Sequence, residues 1–87
     1  MNDLLSKQDA EAVIQILIRE LDVAANQVTS GARLDEDLGA DSLTKVEINM
    51  ALEDQFDLSI PDEQAERIQT VGDLVEVLAE LLQARRH

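Results

Sequence analysis

Ser42 stands in the stretch LGADSLTKVEIN, residues 38–49, between Asp41 and Leu43. A hydroxyl there can cap a helix, attack a substrate, or accept a group attached by another enzyme. Attack needs a base within hydrogen-bond reach and an oxyanion hole. The sole histidine is His87, the last residue, which reads as a frayed end, and no G-x-S-x-G elbow is present. Ser42 is therefore not expected to act as a nucleophile, and no pocket chemistry supports paired carboxylates as general acid and base. Residues 35–41, DEDLGAD, resemble the start of a calcium loop. Loop position 6 is Ala40 instead of glycine, however, and position 12 is Val46 instead of glutamate, so no metal site is expected. No glycine-rich phosphate cradle is formed by Gly31, Gly39 and Gly72, which are isolated. Gly39 suits an unusual backbone angle just ahead of Asp41. Two uses of Ser42 remain open. Asp41 or Ser42 caps a helix, or Ser42 carries an anionic modification that the free amides and dipole of a helix N-terminus favour.

The elements that position Ser42 are helical. Val13, Ile14, Leu17, Ile18 and Leu21 share one face of a helix over residues 8–21, with Ser6 or Asp9 as its cap. Residues 22–41 form a long connection with a turn at Thr29-Ser30-Gly31, and Val23, Val28, Leu34 and Leu38 pin it to the core. A loop this long is often functional. A second helix covers 42–56. Pro61 fits the first position of a short third helix, 61–67. The last helix begins near Thr70, runs to about 84, and buries Val71, Leu74, Val75, Leu78, Leu81 and Leu82. Arg85 and Arg86 follow, either completing the helix dipole or simply solvated.

Eighty-seven residues suffice for one small domain, expected to span 1–87. With Phe56 the one aromatic, the core must be aliphatic. A formal charge of −12 opposes binding to nucleic acid or to an anionic membrane surface and favours basic protein partners. There is no cysteine, so neither a disulfide framework nor a thiolate metal site can form. MNDLLSKQDA has no basic region followed by an apolar run, and no stretch is long enough to span a bilayer. A cytoplasmic location is expected, without membrane insertion.

The second helix carries two apolar stripes. Leu43, Val46 and Met50 lie on one side, and Ile48, Leu52 and Phe56 roughly opposite. One stripe can face a core. The other is either a protein-contact strip or is covered by the third helix or the loop. Acidic residues crowd the same region: Asp35, Glu36, Asp37, Asp41, Glu47, Glu53, Asp54, Asp57, Asp62, Glu63 and Glu66, with Lys45 the one base in that span. Such a patch is either a solvated face or a docking surface.

The segments EDLGADSL, MALEDQFDLSIPDE and IQTVGDL resemble the free-standing bacterial acyl carrier proteins, over roughly residues 10–82. The resemblance implies an all-α four-helix bundle with a short third helix and a long loop between helices one and two. It implies that Ser42 bears a covalent 4′-phosphopantetheine, added from coenzyme A by a phosphopantetheinyl transferase, whose thiol holds growing acyl chains as thioesters in fatty acid biosynthesis. It further implies a chain that is a substrate with no catalytic residues of its own, not an enzyme, and a monomer is expected. Asp41, Leu43, Val46, Glu47, Met50, Glu53 and Asp54 then dock acyl-transferring and synthase enzymes through basic patches. Ile48, Asn49, Leu52 and Phe56 then line an acyl pocket. Thr44, where the family usually has an acidic residue, Lys45 beside it, Asn49 in place of an aliphatic and Leu34 in place of an aromatic depart from the common pattern. A carrier for a polyketide or another specialised acyl pathway reads the same way. The reading from a different class is an acidic helical adaptor whose serine stays bare.

Overall fold

The computed structural model describes residues 4–85, so the expectations for Arg86 and His87 lie outside the described residues. Four helices follow one another: α1 Lys7–Leu21, α2 Ser42–Phe56, α3 Asp62–Glu66 and α4 Val71–Arg85, with a 3-10 turn, Ala25–Gln27, between α1 and α2. The all-α bundle with a short third helix is the fold expected from the sequence.

Each helix starts where a side chain or carbonyl can satisfy its free amides. Ser6 caps α1, its Oγ accepting from the Asp9 N–H at 3.1 Å. At α4 the cap is reciprocal: Thr70 Oγ1 accepts from the Asp73 N–H, and Asp73 Oδ2 accepts from the Thr70 N–H, both at 3.1 Å. Pro61 lies just outside α3 instead of opening it. Its ψ of 153° is extended, and its carbonyl accepts the first helical bond, from the Ala65 N–H at 2.9 Å. α1 and α2 both end on an aspartate in the left-handed region, Asp22 and Asp57.

The core is aliphatic, with Val13, Leu17, Ile48, Leu52, Val71, Leu74, Val75 and Leu78 essentially inaccessible. The buried face of α1 is rotated from the expected stripe. Ala10, Val13, Ile16 and Leu17 are buried, while Ile14, Ile18 and Leu21 flank the core half-buried. An apolar arc wider than the face its neighbours cover leaves one edge at the rim, and periodicity alone does not say which. α4 buries Val77 and Ala79 in addition to its stripe, with Leu81 half-buried, because it is enclosed on more than one side.

The connection 22–41 is more ordered than its irregular spacing suggests. Val28, Ala32, Leu34, Leu38 and Ala40 are buried. Three backbone bonds lash it to the start of α4: Leu34 N–H to Gln69 O at 3.0 Å, Val71 N–H to Ala32 O at 3.0 Å, and Gly72 N–H to Ser30 O at 2.9 Å. They surround an antiparallel bridge between Arg33 and Thr70. A Cβ at position 72 would stand 3.0 Å from the Ser30 carbonyl oxygen, so glycine there permits the close approach. The chain then doubles back through residues 33–40, where the Arg33 N–H donates to Asp37 Oδ2 at 2.8 Å and the Ala40 N–H to Leu34 O at 2.7 Å. Gly39, at φ +76°, makes the reversal. Residue 42 is thereby delivered to the bundle surface by a braced loop.

Arg85 does not serve its own helix end. Its Nη1 donates to the carbonyl oxygens of Phe56 and Asp57, at 2.8 Å for Asp57, closing the C-terminus of α2 from across the bundle. The sequence offered only a helix-dipole role or a solvated end for this residue.

Candidate functional site

The site begins at the junction of the braced loop and α2. Asp41, extended at ψ −176°, is the cap: its Oδ1 accepts from the Thr44 N–H and from the Thr44 hydroxyl, each at 2.8 Å. These bonds hold the Asp41 carboxyl below the usual carboxylate range. Asp35 is lowered likewise, first by the Glu36 N–H and then by the charges of Arg33 and Lys45. Both carboxylates are ionised at neutral pH.

Capping by Asp41 relieves Ser42 of that task. Ser42 is the first helical residue, exposed, and its hydroxyl makes no hydrogen bond to another described residue. It sits at the positive end of a fifteen-residue helix. An exposed, uncommitted hydroxyl beside helix N-terminal amides fits a phosphodiester attached through its oxygen.

Two faces of α2 diverge from this point. Leu43, Val46 and Met50 are 67, 52 and 59% exposed, whereas Ile48, Leu52 and Phe56 are buried. The open question about the second stripe is thus decided: neither α3 nor the loop covers it. Asp41, Glu47 and Asp54 are exposed beside it. Glu53 differs. It is half-buried, and its Oε2 accepts from the Ile60 N–H at 2.7 Å, holding the α2–α3 connection.

Behind α2 lies a cavity of about 30 Å³ lined by Leu34, Lys45, Ile48, Asn49, Ala65 and Ile68. It has room for a water molecule or two. Of the residues expected to line an acyl pocket, Ile48 and Asn49 border it, while Leu52 and Phe56 lie in the core without lining it. Ala65 and Ile68 were missed by the sequence reading. Their i, i+3 spacing across the end of α3 is the signal that marks them, but a five-residue helix is too short to show a periodicity. Arg67, which ends α3, is fastened to Glu80 of α4 by two bonds of 3.1 and 3.0 Å. This pair holds the Glu80 carboxyl below its ordinary value.

Residues 11–78 match the family model described as the phosphopantetheine attachment site. The chain is 49% identical over 84 residues to an acyl carrier protein of Phenylobacterium zucineum, covering 97% of this chain and all of that one. It is 49% identical over 80 residues to an acyl carrier protein of Caulobacter vibrioides, covering 92% and 96%. Among solved structures it resembles an acyl carrier protein from Enterococcus faecalis. The TM-score is 0.72, with 35% identity across 88% of this chain and 99% of that one.

Proposed function

The chain belongs to the acyl carrier proteins, which carry acyl groups on phosphopantetheine and are not catalysts, and from that membership we propose that Ser42 is the attachment residue. The observation that carries this is the division of labour at the head of α2: Asp41 does the capping, and the Ser42 hydroxyl is left exposed and without a partner among the described residues. A phosphopantetheinyl transferase supplies the base. The serine hydroxyl loses its proton, its oxygen takes the phosphopantetheine phosphorus of coenzyme A, and adenosine 3′,5′-bisphosphate leaves. When bound, the arm supplies a thiol that holds the acyl group as a thioester. The reading as an adaptor with a bare serine gives way to the family match.

Leu43, Val46 and Met50 form the grip for partner enzymes, and Asp41, Glu47 and Asp54, with the half-buried Glu53, supply the charge that steers basic patches toward it. Ile48 and Asn49 form the α2 wall against which an acyl chain is sheltered, with Leu52 and Phe56 packed in the core beyond the cavity lining. The chain works as a single acyl-carrier domain and a monomer, in the cytoplasm, loaded by the enzymes of fatty acid biosynthesis. Among the described residues no helix is long and apolar enough to cross a membrane. A second reading, a carrier for a polyketide or other specialised pathway, is favoured by Lys45 and Asn49 on the cavity wall. The two readings are separated by offering the arm-bearing protein to fatty-acid condensing and reducing enzymes and following its mass. Successive two-carbon additions are expected. An arm that stays unextended there, but is loaded and extended by enzymes of another acyl pathway, contradicts the fatty-acid assignment.

A further inference from the structure

The cavity behind α2 has one polar wall and one apolar wall. Leu34, Ala65 and Ile68 have hydrocarbon side chains, while α2 contributes Lys45 and Asn49 on either side of Ile48. Asn49 is half-buried, yet its amide makes no hydrogen bond to another described residue. Lys45, at the rim, has one partner among the described residues, Asp35, at 3.9 Å. Two donor-bearing residues therefore line a small space walled otherwise by apolar side chains, and the Asn49 amide has its hydrogen-bonding capacity unspent among the described residues. A saturated chain entering it displaces water from the Asn49 amide and returns nothing, whereas a chain bearing an oxygen replaces what the water gave. Along the helix, Lys45 stands about 4.5 Å and Asn49 about 10 Å from Ser42. They are the polar groups an acyl chain meets as it turns in from an arm on Ser42.

We propose that this pocket selects acyl chains that carry an oxygen, hydroxyl or keto, on the carbon β to the thioester, with the Asn49 amide and the Lys45 ammonium as its donors. This rests on the carrier reading with Ser42 as the attachment residue. The selectivity belongs to this chain's own residues at 45 and 49, and the apolar wall is indifferent to it. A cavity of about 30 Å³ is smaller than an acyl chain and must widen to admit one. The preference is therefore a property of the loaded protein.

The test uses the full chain, loaded by a transferase with two coenzyme A thioesters of equal length, one saturated and one β-hydroxylated. Intact mass establishes loading, and thioester hydrolysis is then timed for wild type, Asn49→Leu and Lys45→Met. Asn49→Leu is expected to hydrolyse the β-hydroxyacyl form about fivefold faster than wild type, the change that losing one neutral hydrogen bond produces. The saturated form is expected to be unchanged or better protected. Lys45→Met, at a half-exposed rim position, is expected to move in the same direction without disturbing α2 packing. Equal ratios for the two acyl groups in both variants overturn the pocket assignment while leaving the carrier intact. Absence of any mass adduct on Ser42 overturns the carrier reading itself, and this proposal with it.

Discussion

Asp41 and Ser42 are neighbours with the same capping chemistry, and only one can cap. Asp41 does so because its extended backbone aims Oδ1 at both the amide and the hydroxyl of Thr44. Thr44, conspicuous in the sequence as a departure from the family's acidic residue, completes the cap. The interaction has a pH signature. Asp41's folded value lies below its ordinary 3.8, so its contribution to stability is fully present above that pH and is lost as pH falls through the lowered folded value. An NMR titration of the side-chain carboxyl checks this. We expect a midpoint below 3.8 in the native protein and a return toward the ordinary value in Thr44→Val, which removes the hydroxyl donor. An unchanged midpoint in that variant would assign the shift to the Thr44 amide alone. The sequence narrowed the cap to two residues but could not choose between them, because the choice depends on backbone angles set by the loop before it.

At the scale of elements, α2 is a helix with two apolar faces of opposite fate. Burial decides their energetic weight. Leu52→Ala removes an inaccessible side chain and is expected to cost about 2–5 kcal/mol. Leu43→Ala, two-thirds exposed, is expected to stay within about 0.5 kcal/mol. Denaturant unfolding of the two variants reads the contrast, and comparable losses would mean that the Leu43 strip is packed in solution. Helix positions were legible because period and caps are local. Pairing of residues 30–34 with 69–72 was not, since it depends on backbone groups that carry no sequence signal and lie nearly forty positions apart. Arg85 escaped for the same reason: its partners are the carbonyls of Phe56 and Asp57, at the end of a different helix. The third helix was foreseen, but its role as a cavity wall was not, because Ala65 and Ile68 acquire that role only by standing opposite Ile48 and Asn49.

For the molecule as a whole, charge dominates. Nineteen acidic and seven basic residues leave −12, and the salt bridges among the described residues are exposed or half-exposed. Such pairs contribute little, so self-repulsion in the compact state goes largely uncompensated at low ionic strength. Melting temperature should therefore rise from low to moderate salt, and further with magnesium. A curve flat in ionic strength would contradict this. Net charge was the most legible property of the sequence, and it opposes anionic partners without naming any. The central claim concerns a single atom, the Ser42 oxygen. Its most direct test is the intact mass of the purified chain after incubation with coenzyme A and a broad-specificity phosphopantetheinyl transferase, beside Ser42→Ala. One phosphopantetheine adduct on the wild type and none on the variant is the predicted result. An adduct that persists in Ser42→Ala, or none on a folded wild type under a transferase active on another carrier, would contradict it.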